Sequence, residues 1–241
     1  MKRNLMLLIV CLMTILHGVY AQKIYLLAVG VADYPGEKND LKLPAKDART
    51  IKWLYEQNKR AETKLLTDAN ATKANIISEM NNVYRKAETD DIIVLYFSGH
   101  GMPGVFCAYD TDISYEDVRK AMAGSASKHK MIFADACFSG NMRSERGNSG
   151  NNSARNDLDV MLFLSSRNNE TSIESSYFAN GYFTTALQQG LRGKADKNED
   201  RTITAKELFT FVSEVVKNLS NDKQHPVMWG NFSDDMPVII W

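Results

Sequence analysis

Two uninterrupted apolar runs, Ile92-Ile93-Val94-Leu95 and Met131-Ile132-Phe133-Ala134, most narrow what this chain can fold into. A strand with one wet face alternates apolar and polar residues, whereas a run that is apolar at every position is buried on both faces. That condition is met inside a parallel sheet covered by helices on each side. Lys23 to Val31 is a third such run, ending at a glycine. Between the runs the apolar spacing turns helical. Ile51, Leu54 and Tyr55 share one face of a helix over residues 45–59. Ile76, Ile77, Met80 and Val83 form a stripe on a helix that Thr72 caps and that continues to Lys86.

Further along, the spacing predicts a helix over 115–123, strands over 130–136 and 160–165, and helices over 182–191 and 204–219. "HPVMWG" and "MPVIIW" close the chain as short strand-like segments. Strands alternating with helices give an α/β fold, a sandwich with a mostly parallel sheet. At 241 residues this is one domain with a core of its own.

The first residues are set apart. Lys2 and Arg3 precede a nearly all-apolar stretch from Leu5 to Leu16, and Val19-Tyr20-Ala21 fits a small-residue cleavage site. The apolar stretch is shorter than the roughly 20 residues a membrane span needs. A signal peptide over 1–21 is expected, with residues 22–241 as the mature domain in a periplasmic or extracellular space. The mature chain then carries 27 basic and 29 acidic residues. Such a balance offers no basic surface for nucleic acid or for an anionic membrane. Two cysteines remain, Cys107 and Cys137, too few for a disulfide framework.

Each long apolar run ends in chemistry. "YFSGHG", 96–101, ends the first and "DACFSG", 135–140, ends the second. In open parallel sheets, ligands sit beyond the carboxyl ends of the strands. There, a histidine can take the proton of a thiol, and the thiolate is the nucleophile. The glycines beside His100 and after Cys137 let a bare backbone approach a substrate. Either residue alone could equally be a core cysteine or a hydrogen-bonded turn histidine.

The chain resembles the caspase-like cysteine peptidases, nearest to their bacterial and metacaspase/paracaspase branch. The likeness rests on "YFSGHG" as the histidine motif, "DACFSG" as the cysteine motif, and "LLAVGVADYPG…LKLPAKDA" as the first strand and its loop. It spans essentially Lys23 to Trp241. It implies a caspase-like three-layer α/β/α sandwich and a His100/Cys137 dyad. It also implies an oxyanion hole built from the N–H groups of Gly101 and Cys137. No cofactor is required for such chemistry.

The resemblance also implies a specificity. Animal caspases carry glutamine two residues before the cysteine and cut after aspartate; this chain carries Asp135 there. Asp47 and Ser98 match two further pocket-lining positions of the metacaspase-like branch. Two carboxylates in one pocket need a cation between them, and a substrate Arg or Lys supplies it. The expected partners are therefore peptides or proteins cut after a basic residue. Asp47 could instead serve a helix N-terminus, and Asp135 could be a hydrogen-bonded strand-end acid. The 165–175 segment falls where the family pairs substrate by β-augmentation. The polar loop 141–157, with Arg143, Arg146 and Arg155, is an expected self-cleavage site.

One motif lies apart from this chemistry. "DKNEDRTITAKE", 196–207, sets Asp196, Asn198, Asp200, Thr202, Thr204 and Glu207 at the ligand positions of a calcium-binding helix–loop–helix. Arg201 stands where the turn wants glycine. The loop either binds calcium weakly or is a relic whose Thr204 and Glu207 form a capping box. Two other readings of the whole chain are a non-catalytic caspase-like domain that binds peptides or partners, and a nucleotide-binding α/β domain. The latter lacks a Gly-rich phosphate loop after the first strand.

Overall fold

The computed structural model describes residues 22–102, 104–136, 160–167 and 180–241. The expected signal peptide, Cys137, the 141–157 loop and most of the 165–175 segment lie outside the described residues.

Among the described residues, six strands make the main sheet: β1 (Ile24–Gly30), β2 (Ala61–Thr67), β3 (Ile92–Gly99), β7 (His129–Ala136), β8 (Val160–Leu164) and β10 (Val227–Trp229). Their order is β10-β8-β7-β3-β1-β2. The first five in chain order run parallel, and β10 closes one edge antiparallel to β8. The three apolar runs lie at the centre of this sheet, and β1 and β3 are buried along their whole length.

Side-chain alternation divides each central strand between two cores. Ile24, Leu26 and Ala28 of β1, with Ile92, Val94 and Tyr96 of β3, face three helices: α1 (Pro44–Glu56), α4 (Tyr182–Gln189) and α5 (Ala205–Leu219). Tyr25, Leu27 and Val29, with Ile93, Leu95 and Phe97, face α2 (Lys73–Tyr84) and α3 (Tyr115–Ala123). This is the α/β/α sandwich with a mostly parallel sheet that the sequence predicts.

Helix starts follow the capping signals. Thr72 and Ser114 accept the N–H groups of Asn75 and Asp117 and so open α2 and α3. After α4 the chain kinks at Gly193, whose φ is 109°, before the 196–207 loop. The stretch after His100, read from sequence as irregular, is a small antiparallel sheet. It comprises β4 (Gly101–Met102), β5 (Val105–Cys107) and β6 (Asp112–Ser114). Its strands are two or three residues long, too short for a period to show. A further pair joins β9 (Thr202–Thr204) to β11 (Pro237–Ile240).

Candidate active site

The carboxyl ends of the central strands are held level by their register. Gly30 of β1 pairs with Ser98 of β3, Ser98 with Asp135 of β7, and Gly99 with Ala136. His100 is the next residue after Gly99, and Cys137 the next after Ala136. The two motifs therefore leave neighbouring strands at one level of the sheet. Cys137 itself lies outside the described residues.

His100 is positioned from the loop that follows β1. Its backbone N–H donates to the hydroxyl of Tyr34 at 2.9 Å, and that hydroxyl donates to the Cys107 carbonyl at 3.0 Å. The Tyr34 and His100 rings lie 4.9 Å apart between centroids. The His100 Nε2 is 2.8 Å from the carbonyl oxygen of Asn39. A carbonyl only accepts, so in the neutral ring Nε2 carries the proton and Nδ1 is left as the base. Tyr34 and Asn39 are contributors that the sequence did not reveal. A backbone carbonyl has no sequence signature, and Tyr34 sits in a loop without periodicity.

Gly101 begins β4, beside His100. The Cys107 N–H donates to the His100 carbonyl at 3.0 Å. In an antiparallel ladder this makes Gly101–Phe106 a pair whose own N–H groups are not exchanged between the two strands. Cys107 is a free, half-buried thiol whose pKa burial pushes up to about 12, so it does not ionise near neutral pH.

Asp47, Ser98 and Asp135 come together in the layer between the sheet and α1 and α4. All three are buried, with 2%, 2% and 7% of their surface exposed. Gly30 makes the approach of α1 feasible. A Cβ there would lie 2.2 Å from the Pro44 carbonyl oxygen, so only glycine lets α1 begin directly over the end of β1. Asp47, in the first turn of α1, then reaches Ser98, whose hydroxyl donates to Asp47 Oδ2 at 3.3 Å.

The remaining donors come from the start of α4. The Asn180 side-chain amide donates to Asp47 Oδ1 at 2.6 Å and the Gly181 N–H to the same oxygen at 3.3 Å. The Thr184 hydroxyl and N–H donate to Asp135 Oδ2 at 2.8 and 3.3 Å. Thr184 Oγ1 is in turn 2.6 Å from the Tyr96 hydroxyl. None of Asn180, Gly181 or Thr184 stood out in the sequence, where "NG" reads only as a turn before a helix.

The electrostatics of the pair follow from its burial. Loss of water raises the Asp47 pKa well above the ordinary carboxylate range, and repulsion from Asp135 adds to it. The hydrogen bonds from Asn180, Gly181 and Ser98 only partly offset this. Burial therefore favours the protonated form of Asp47.

The 196–207 loop is separate from these groups. Glu199 and Arg201 adopt positive φ, 60° and 68°, so the sharp turn forms despite the arginine. Asp196 Oδ2 accepts the Arg201 N–H, and Asn198 and Asp200 fold onto the Asp200 and Thr202 N–H groups. Asp196 Oδ1 is buried without a hydrogen-bond partner. Glu207 is engaged elsewhere. Its Oε2 accepts from the Thr204 N–H and hydroxyl, its Oε1 from the Lys197 N–H, and the capping box is complete. Among the described residues no three His, Cys, Asp or Glu side chains converge as a metal site. The donor oxygens fit calcium chemistry, but Glu207 would have to leave its cap to serve it.

Comparison with known proteins places this geometry. The family model of the caspase domain matches residues 24–236. A protein of Geobacter sulfurreducens has a similar solved structure, with TM-score 0.62 and 16% identity over 86% of this chain and 92% of that one. Caspase-1 of Spodoptera frugiperda is similar with TM-score 0.60 and 16% identity, over 87% and 86% of the two chains. At such identities the likeness is one of fold. No curated protein sequence matches the chain.

Proposed function

We propose, from the premise that the chain belongs to the caspase domain family, that it is an exported cysteine endopeptidase cutting peptide bonds after Arg or Lys. The observation that carries this reading is the buried pair Asp47 and Asp135, gathered with Ser98 at the strand ends beside His100. Burying two ionised carboxylates side by side is unfavourable, so the pair either keeps a proton or takes a cation between its acids. The basic side chain before the scissile bond is that cation.

The chemistry then runs on groups at the same carboxyl end of the sheet. His100 Nδ1 takes the thiol proton of Cys137, and the thiolate sulfur attacks the scissile carbonyl carbon. The carbonyl electron pair moves onto oxygen, where N–H groups such as that of Gly101 stabilise it. Collapse of this intermediate breaks the C–N bond, and His100 returns the proton to the leaving amine. A water, deprotonated by His100, hydrolyses the thioester and frees the thiol. The Asn39 carbonyl holds the ring in the tautomer this requires.

For the 196–207 loop we propose weak calcium binding that is structural and takes no part in these steps. The unpartnered Asp196 Oδ1 supports it, while Arg201 and the engagement of Glu207 keep it weak.

The test is turnover of matched fluorogenic peptides ending in Arg, Lys or Asp, by the chain from Gln22 onward and by its Cys137→Ala variant. Cleavage after Arg or Lys that vanishes in the variant is the expected result. Cleavage after Asp alone would overturn the specificity. Silence toward every peptide, even after trypsin treatment of the 141–157 loop, would favour the non-catalytic domain.

A further inference from the structure

Tyr96 of β3 and Thr184 of α4 bring two hydroxyls into the layer between sheet and helix, and both residues are fully buried. A phenylalanine and a valine would fill the same space without taking two polar groups out of water. The hydroxyls are therefore explained by what they bond. Thr184 Oγ1 lies 2.8 Å from Asp135 Oδ2 and 2.6 Å from the Tyr96 hydroxyl. The Thr184 N–H reaches the same carboxylate oxygen at 3.3 Å.

The order of the protons follows from the acceptor. An ionised Asp135 only accepts, so Thr184 gives it its one hydroxyl proton, and Tyr96 donates to Thr184 in turn. Burial, and then the charges of Asp47 and Asp135, push the Tyr96 hydroxyl well above its ordinary pKa, so it keeps its proton and stays a donor. Each bond of such a buried chain polarises the next. Two donors from Thr184 hold one oxygen of Asp135 and so limit rotation of the carboxylate. We infer that Thr184, backed by Tyr96, is a positioning residue that sets the orientation in which Asp135 meets the substrate's basic side chain. This rests on the reading of Asp47 and Asp135 as the pocket for that side chain. A planar guanidinium pairs with a carboxylate in a matched plane, whereas an ammonium is a point charge. The relay therefore matters more for Arg than for Lys.

Thr184→Val, Thr184→Ser and Tyr96→Phe test it on matched Arg and Lys peptides. Thr184→Val should raise KM for the Arg peptide about 10- to 100-fold, with a smaller rise for Lys. Thr184→Ser, which keeps the hydroxyl, should stay within about threefold of wild type, and Tyr96→Phe should raise the Arg KM about 3- to 10-fold. The rate of Cys137 alkylation by iodoacetamide, which needs no basic side chain, should stay at the wild-type value in all three. A purely structural relay would lower the Tm and leave KM of the folded fraction unchanged for both peptides. That result, or a serine variant as impaired as the valine one, would overturn this inference while Asp135→Asn remains defective. Should Thr184→Val not fold, Tyr96→Phe decides, and a wild-type Arg KM in it overturns the inference. Wild-type protein that cuts after neither Arg nor Lys, or Asp135→Asn protein that cuts as well as wild type, would overturn the pocket reading and this inference with it.

Discussion

Asp47 and Asp135 reach the start of one helix from two different elements. Asp47 comes from the start of α1 and accepts the Gly181 N–H; Asp135 comes from the end of β7 and accepts the Thr184 N–H. Both carboxylates thus take up donors that open α4, a place where negative charge is favoured. The arrangement does structural work, with each acid taking its own donor. The second acid adds repulsion in a buried layer. Asp47→Asn and Asp135→Asn should therefore separate the two roles. Each should lower kcat/KM for Arg and Lys peptides by about 100-fold or more, the scale of losing one buried ionic contact. Folding should survive, as circular dichroism would show.

Stability should move the opposite way from activity at high pH. The Asp47 pKa is raised in the folded state, so the native protein binds more protons than the unfolded chain above about pH 4. The Asp47 contribution to stability is then largest in acid and is lost as pH climbs to the raised value. Differential scanning fluorimetry from pH 4 to 9 should show this decline in the wild type. In Asp47→Asn it should be weaker, with a higher Tm than wild type at pH 8. Identical pH profiles would mean that Asp47 titrates normally.

The same proton competes with substrate. A basic side chain enters a pair that must give its proton up, so KM for an Arg peptide should fall as pH rises through the raised Asp47 pKa. The pH dependence of kcat should follow different groups, since the proton is already gone in the bound complex. Steady-state kinetics on one Arg peptide across pH 5 to 9 would read both. A KM independent of pH would argue against proton displacement.

The central architecture was legible because the strand runs are long and apolar at every position, and because Thr72 and Thr204 mark helix starts. The pair Ser98 and Asp135 was legible in outline through the family resemblance, which sets both two residues before the His100 and Cys137 of the two motifs. What the sequence hid was contributed by tertiary contact. The β4–β5–β6 sheet is built of strands too short to show a period. Asn180 and Gly181 lie 133 and 134 residues after Asp47, and Thr184 49 after Asp135, so these partners meet only through folding. The Asn39 carbonyl is backbone, available at any residue, and only the closure of the loop after β1 onto His100 singles it out.

Tyr34 should act as a positioning residue for His100. Its hydroxyl accepts the His100 N–H and donates to the Cys107 carbonyl, tying the loop after β1 to β5. Tyr34→Phe removes one oxygen and leaves two backbone groups short of a partner, at about 1–3 kcal/mol. On the reading above, kcat should fall about tenfold while KM for an Arg peptide changes little, because the acid pair is untouched. A purely structural Tyr34 would instead lower the Tm and leave kcat per folded molecule unchanged.

The 196–207 loop gives a prediction that is independent of the peptidase chemistry. Thr204 and Glu207 cap α5 reciprocally, and β9 beside them pairs with β11. Thr204→Ala should cost about 1–2 kcal/mol of stability with or without calcium, since the cap exists without the ion. Calcium itself should raise the wild-type Tm only at about millimolar concentration, the range of weak extracellular loops. Two features set this weakness: Glu207 must leave its cap to coordinate, and Arg201 brings positive charge to the turn. Asp196→Asn should abolish the calcium response while leaving kcat/KM on Arg peptides unchanged. A calcium response at micromolar concentration would mean that the cap yields easily. A response that survives Asp196→Asn would move the ion to another part of the chain.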